Sequence, residues 1–457
     1  MQSQGKEVVQ EGKYFAYLVC FVAAVGGFLF GYDLVIISGA QIYLKEQFNL
    51  SDAAFGFATS SAILGCIIGP FIGSWMCDRF GRKNVMIFSA LLFAVSAIGS
   101  AVPKTMFIFN TFRIIGGVAV GLCSIASPMY IAELAPARIR GGLGFMYQLA
   151  IAVGALASGI VAWLLAKYLP ETISWRWMFA SELLPIIAFS VLLIFIPRSP
   201  RWLSEMGRFD EAREVLTRIE GPEYAERELA DIKESLMQES GTFSELFQPG
   251  IRKALLVGIL LAIFNNTTGW TEMGYYLPTL FKQGGFPDTA DAIFQFLIIS
   301  GFGSAMTLIA SLFVDRLGRR PLWLICSAAM IVSLTIVGLV FYWNLKGPFV
   351  FVAIFLCAAP HAFALGPLPW LMMSELYPTR IRARAVAITT TVIWIAGWFG
   401  PFIFPIIAGW FERNTGSIAP TFWLLACVCV LSLLFGWKLM PETKGRTLEE
   451  IARSWHK

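Results

Sequence analysis

Charge is what this chain most lacks. Only 14% of its 457 residues are Asp, Glu, Lys or Arg, against 57% hydrophobic, and its mean hydropathy is +0.68. A water-soluble protein of this size needs far more charge to cover its surface, so lipid must cover much of this one. Histidine is nearly absent, and His361 and His456 are too few and too far apart for a metal site. The eight cysteines show no CxxC or Cys/His ligand spacing, which leaves them as apolar packing residues. The glycine-rich patches Gly26-Gly27, Gly116-Gly117 and Gly141-Gly142 lack a Walker lysine, so close helix packing is their expected use. No catalytic triad is visible. An enzyme is therefore not expected, nor a bound cofactor or metal.

Long apolar runs are what the chain has in abundance. Twelve are long enough to cross a bilayer at roughly 20 residues each. They fall at about 15–37, 54–77, 84–102, 106–128, 142–166, 178–196, 254–281, 291–314, 321–343, 348–373, 385–410 and 419–440. This pattern predicts an all-α, multi-pass membrane protein. The short loops 2–3, 4–5, 8–9 and 10–11 carry Arg79, Arg82, Lys83, Arg138, Arg140, Arg316, Arg319, Arg320, Arg380, Arg382 and Arg384. The opposite loops are basic only at scattered sites such as Lys45, Lys104 and Lys346. The positive-inside rule then makes the first set cytoplasmic, with both termini on the same side. That arrangement accounts for the net charge of +5 without nucleic acid as a partner. Met1–Lys13 is polar and the first apolar run is too long for a signal core, so no cleaved leader is expected.

The expected division is a bundle over 1–196, a helical linker over 197–252, a second bundle over 253–440 and a tail over 441–457. Within the linker, Gly221-Pro222 separates two short amphipathic helices; in the tail, Thr447-Leu448-Glu449-Glu450 reads as a capping box. The two bundles look like copies. Asp78-Arg79-Phe80-Gly81-Arg82-Lys83 returns as Asp315-Arg316-Leu317-Gly318-Arg319-Arg320. Glu133-Leu134-Ala135-Pro136-Ala137-Arg138-Ile139-Arg140 returns as Glu375-Leu376-Tyr377-Pro378-Thr379-Arg380-Ile381-Arg382. Duplicated membrane bundles are how transporters build two halves around a central site.

Further strings occur in order: Gly31-Tyr32-Asp33, Arg113-Ile114-Ile115-Gly116-Gly117, Gln148-Leu149 with Gly154, and Pro197-Arg198-Ser199-Pro200-Arg201-Trp202-Leu203. Gly366-Pro367-Leu368-Pro369-Trp370 and Pro441-Glu442-Thr443-Lys444-Gly445 complete the set. With these motifs the chain resembles the sugar porter branch of the major facilitator superfamily from about Tyr14 to Thr447. The resemblance implies twelve transmembrane helices in two six-helix pseudo-symmetric halves, joined by a cytoplasmic helical linker. It implies a secondary transporter that imports a monosaccharide or polyol with a proton by alternating access. The partners expected are a small neutral polyhydroxy substrate, a proton and the lipid bilayer. A monomer in a bacterial inner membrane is the expected setting. The runners-up are a facilitative sugar uniporter and a porter of a non-sugar metabolite. A non-transporting sugar sensor is remote, because the polar tail is short.

The resemblance also distributes roles. Asp33 and Arg113 match the proton-coupling pair of symporters, and Glu182 is placed to share Arg113. An unpaired carboxylate in an apolar span is costly, so Asp33 must be protonated or meet a cation. The cytoplasmic latch comprises Asp78, Arg79, Gly81, Arg82, Glu133 and Arg138 in the first half. Its second half is Asp315, Arg316, Gly318, Arg319, Glu375 and Arg380, with arginines forking onto Glu133 and Glu375. Arg198 stands where the family usually has Glu.

The sugar site implied is Phe30, Gln148, Asn265, Asn266, Thr271, Tyr275, Trp370 and Trp394, with Tyr275 and Tyr276 as an outer gate. This chain has Asn265-Asn266 where the family usually has Gln-Gln, Thr271 where it has Asn, and Ser304 and Ile393 where amides often reach the sugar. Glu272 replaces a small neutral residue. It could bind a cationic or polyol substrate, act as a second ionisable site, or meet water at the end of the span.

Overall fold

The computed structural model of the protein describes residues 2–136, 139–237, 243–248, 251–377 and 381–444. Arg138, Arg380 and Thr447–Glu450 lie outside the described residues, as does the side chain of Asp315. The described residues are helical, with no strand among them. That outcome follows from the solvent, because in lipid a helix satisfies its own backbone while an open strand edge cannot.

Among the described residues, twelve helices are long and apolar enough to cross a membrane. Spans 1–6 are Tyr14–Gln47, Asp52–Phe80, Arg82–Ala101, Met106–Leu134, Gly142–Tyr168 and Glu171–Phe195. Spans 7–12 are Ile251–Gly274, Thr289–Ala310, Arg319–Tyr342, Pro348–Met373, Arg384–Thr415 and Ala419–Lys438. Large apolar side chains such as Trp75, Leu91, Leu184, Phe195, Phe349 and Leu431 stand exposed on them, as expected of surfaces that meet lipid.

Three spans are interrupted, and each interruption has a local cause. Span 6 breaks at Ser181-Glu182, between Glu171–Ala180 and Leu183–Phe195. Pro185 has no N–H for the Ser181 carbonyl, which instead accepts from Leu184 at 3.3 Å. Span 7 breaks at Thr268-Gly269, where Gly269 has φ +96°, and a separate helix Leu277–Gln283 follows Tyr276. The uninterrupted run to 281 expected from hydropathy is therefore three pieces, Ile251–Thr267, Trp270–Gly274 and Leu277–Gln283. Span 10 passes from Pro348–Pro360 through a π-turn, His361–Leu365, into Pro367–Glu375.

The chain divides into two compact units, Met1–Ile36 with Ser61–Val161 and Ile173–Glu239, and Ile37–Ser60 with Ala162–Thr172 and Ser240–Lys457. The ends of spans 1 and 2 around the first loop thus belong to the second unit. Inside the first unit, glycines bring spans into backbone contact. A Cβ on Gly117 would collide with the Ala62 carbonyl, and one on Gly31 with the Ile151 carbonyl. Span 3 packs on spans 4 and 6, and span 9, six positions later, packs on spans 10 and 12. The linker forms Phe209–Glu220 and Pro222–Met237, burying Val215, Leu216, Ile219, Leu229 and Ile232.

Candidate functional site

In the first unit, span 1 carries Asp33 into full burial, where Arg113 of span 4 meets it. The Arg113 Nη1 donates to Asp33 Oδ1 at 2.6 Å, and Nη2 donates to the Asp33 backbone carbonyl at 2.8 Å. Gly116 leaves room for this pair, since a Cβ there would lie 3.2 Å from Asp33 Oδ1. The break in span 6 places Glu182, also fully buried, beside Asp33 and Arg113. Apart from the approach of these two carboxyls to each other, neither Glu182 oxygen nor Asp33 Oδ2 has a hydrogen-bond partner among the described residues. Two carboxyls therefore share one guanidinium out of reach of solvent, an arrangement that is costly without a further positive charge.

The turn between spans 2 and 3 forms a second cluster in the same unit. Gly81 adopts φ +84°, with the Trp202 ring so near that a Cβ would lie 2.9 Å from it. Arg82 reaches Glu133 Oε1 at 2.8 Å, Glu205 Oε2 at 3.4 Å and the Cys77 carbonyl at 3.2 Å. The other Glu133 oxygen accepts from the Ser199 hydroxyl. Lys83 donates to the Ile196 carbonyl at 2.7 Å, tying the turn to the end of span 6. Asp78 stands 4.0 Å from Arg82, and Arg79 is exposed.

The second unit repeats this around the turn between spans 8 and 9. Gly318 adopts φ +90°, and Arg319 reaches Glu375 Oε1 at 2.8 Å and the Val314 carbonyl at 3.5 Å. The other Glu375 oxygen accepts from the Thr443 hydroxyl at 2.6 Å. Arg320 donates to the carbonyls of Gly436 and Trp437 at the end of span 12. Glu442 accepts from the backbone N–H of Arg319 at 3.1 Å and of Arg320 at 3.0 Å. Burial works to raise the Glu442 carboxyl, but backbone N–H donors from Lys444, Arg319, Arg320 and Thr443 outweigh it and hold the group below its usual range. Arg316 is exposed, and its carbonyl accepts from Lys444.

Ser199, Lys83, Thr443 and Arg320 went unassigned in the sequence. A signal was present: Pro197-Arg198-Ser199 and Pro441-Glu442-Thr443 are a third repeated string, each following the last span of its half.

Also in the second unit, Asn265 donates to the carbonyls of Leu365 and Gly366 in span 10 at 3.1 and 2.8 Å. Asn266 donates to Asn265 Oδ1 and to the Ile393 carbonyl of span 11, at 3.3 and 3.1 Å. The Ile393 side chain packs with Ala262 and Met373. Glu272 is buried, and its Oε2 accepts from the Gly269 N–H freed at the span 7 break, at 2.9 Å. The reading that placed Glu272 in water at the span's end does not match this burial. The Tyr276 hydroxyl donates to the Pro401 carbonyl at 2.6 Å, with its ring between Phe55 and Phe404. The Tyr275 carbonyl accepts from Gln41 at 2.5 Å. Trp370 is exposed, Trp394 buried and Thr271 half-buried, while Phe30 and Gln148 belong to the first unit, half-buried and exposed respectively.

The family model described as "Sugar (and other) transporter" matches residues 19–455. The chain belongs to this sugar transporter family. Within the family it is 38% identical over 452 residues to the arabinose-proton symporter of Bacillus subtilis (strain 168), covering 97% of this chain and 96% of that protein. It is 36% identical over 482 residues to the D-xylose-proton symporter of Escherichia coli (strain K12), covering 96% of each. Among solved structures, the inward open conformation of the xylose transporter XylE from E. coli superposes with a TM-score of 0.85 at 34% identity, over 96% of this chain and 100% of that one. As a sugar transporter family member, the chain has the twelve-helix major facilitator fold, and the class is a membrane transporter rather than an enzyme.

Proposed function

We propose that the chain imports a monosaccharide or polyol together with a proton. The observation that carries this reading is the buried group of Asp33, Glu182 and Arg113, where two carboxyls meet one guanidinium. One proton balances the second carboxyl. When a proton moves onto Asp33, its ion pair with Arg113 is released, and when it leaves, the pair reforms. A site that exchanges one proton for one ion pair, inside a helix bundle, is the minimum needed to couple a gradient to a conformational change. The relatives that are symporters of arabinose, xylose and galactose support the same coupling and put monosaccharides first.

In this reading Phe30, Gln148, Thr271, Trp370 and Trp394 face the substrate, and Tyr275 and Tyr276 gate it. The turns around Gly81 and Gly318 form the cytoplasmic latch, with both termini on that side and the linker helices along it. The bundles are 1–196 and 253–440, and the working unit is a monomer in a bacterial inner membrane.

The test is uptake of labelled pentoses, hexoses and inositol into proteoliposomes, with and without an inward proton gradient. Accumulation above equilibration, only with the gradient, is the expected result. Asp33→Asn should abolish accumulation while sparing exchange of labelled for unlabelled sugar. Uphill transport retained in that variant would remove Asp33 from the coupling role. Gradient-independent equilibration by the native protein would instead favour uniport, with Asp33–Arg113 as a static pair.

A further inference from the structure

The interruptions of spans 7 and 10 meet within the second unit, and Asn265 joins them by hydrogen bonds. In span 10, Pro369 has no N–H to offer the Leu365 carbonyl, which a continuous helix would have satisfied. Asn265 Nδ2 donates to that carbonyl at 3.1 Å and to the Gly366 carbonyl at 2.8 Å. Two carbonyl oxygens on one side-chain atom identify that atom as the amide nitrogen. Asn265 Oδ1 is occupied by Asn266 Nδ2, which also donates to the Ile393 carbonyl. Both donors and the oxygen of Asn265 are thus engaged inside the protein. On the other side of the span 7 break, Trp270 stacks on His361, the first residue of the π-turn, with centroids 5.9 Å apart.

We infer that Asn265 is a positioning residue and not a ligand of the transported sugar. It holds the turn of span 10 in register with the break in span 7, and Asn266 extends the tie to span 11. The inference rests on the transport reading for its consequence: loss of the tie displaces the turn that carries His361 and leads to Trp370, so all substrates suffer alike. A direct ligand would be felt by one hydroxyl.

Two measurements decide it. The first is thermal unfolding in detergent of the native protein, Asn265→Ala, Pro369→Ala and the double variant. Pro369→Ala returns an N–H to the helix, so the loss caused by Asn265→Ala should shrink by more than about half in that background, as expected of residues sharing a partner. Additive losses would overturn the inference. This arm needs no substrate, so it still decides the matter if the native protein carries no sugar, an outcome that defeats the transport reading by itself.

The second is KM and Vmax for xylose and its singly deoxygenated analogues in proteoliposomes. Asn265→Ala should raise KM by a common factor of about tenfold, a loss of roughly one decade of affinity, with Vmax little changed. Asn265→Gln, which keeps the amide donors, should recover part of that loss. Insensitivity of one analogue to Asn265→Ala would make the residue a direct ligand and overturn the inference. An unfolding shift with KM unmoved would reduce Asn265 to scaffold and overturn it as well.

Discussion

The turns after span 2 and after span 8 are two solutions to one problem, and they differ in one residue's charge. Each places a glycine at a conformation other residues resist, then an arginine that binds a carboxylate from the far end of span 4 or span 10. Each carboxylate takes a hydroxyl on its second oxygen, from Ser199 or Thr443. They part at the residue before that hydroxyl. In the second unit it is Glu442, whose carboxylate caps the start of span 9. In the first unit it is Arg198, which lies over the Trp202 ring at 5.4 Å and offers the start of span 3 no acceptor. A cation cannot accept an N–H, so the first turn relies on packing where the second relies on charge. Trp202 fills the space under Gly81, with its indole N–H donating to the Asp78 carbonyl at 3.1 Å, and Glu205 adds a second carboxylate to Arg82.

The sharpest way to break the parallel is to remove each arginine in turn. Arg82 is nearly buried between Glu133 and Glu205, so Arg82→Ala removes the cation shared by two carboxylates, of which Glu205 keeps only the more exposed Arg201, at 3.5 Å. Loss of one partner from such a buried group costs about 3–5 kcal/mol. Arg319→Ala removes the cation from Glu375, which keeps Thr443, and Glu442 still holds the start of span 9. Unfolding temperature in detergent should fall further for Arg82→Ala, and equal losses would mean that Glu205 adds nothing. The glycines come next. Strain at either position costs about 1–3 kcal/mol for alanine. A Cβ at 81 also meets the packed Trp202 ring, whereas one at 318 meets the movable end of Glu442, at 2.7 Å. Gly81→Ala should therefore be the more damaging, and Trp202→Phe should recover part of its loss alone.

How far this could be read from the sequence depends on where the information sits. The twelve spans were legible because lipid demands long apolar runs, and the arginine–glutamate turns because the strings recur. The breaks were harder. Pro185 and Gly269 mark two of them, but hydropathy runs straight through both, since the few polar residues there, Ser181-Glu182 and Thr268, are outweighed by the apolar run around them. The π-turn depends on how Pro360, Pro367 and Pro369 combine, which no single spacing rule states. The resemblance makes Asn265 a sugar ligand, whereas its hydrogen bonds to carbonyls about a hundred residues away are invisible to it, because backbone partners leave no trace in side-chain motifs. Glu272 shows the same limit, since its partner is the N–H of Gly269.

The hydroxyls offer a smaller and more even test. Ser199→Ala and Thr443→Val each remove a hydrogen bond to a carboxylate, worth about 1.5–3 kcal/mol, and Ser199→Ala also removes the oxygen that caps Pro200–Glu205 by accepting from the Trp202 N–H at 3.2 Å. A loss of unfolding temperature larger for Ser199→Ala by no more than that cap, about 0.5–2 kcal/mol, would show that the repeat is energetic as well as geometric. A loss in one half alone would confine that role to its turn.

The last and smallest effect isolates the charge difference itself. An anion at a helix N-terminus contributes about 0.3–1 kcal/mol. Because the Glu442 carboxyl is held below its usual value of 4.5 in the folded protein, its contribution is complete above that value. It is lost as pH falls through the lower, folded value. The contribution of this group to unfolding temperature should be full and constant between about pH 7 and pH 5, followed by an acid-side loss that Glu442→Gln removes. Arg198→Glu should do the opposite: it offers the first turn the missing acceptor, raising stability near neutrality and adding a second acid-side loss. If Arg198→Glu destabilises instead, the Arg198–Trp202 stack is worth more than a cap. The two turns would then have diverged because packing replaced charge, not because a cap was merely lost.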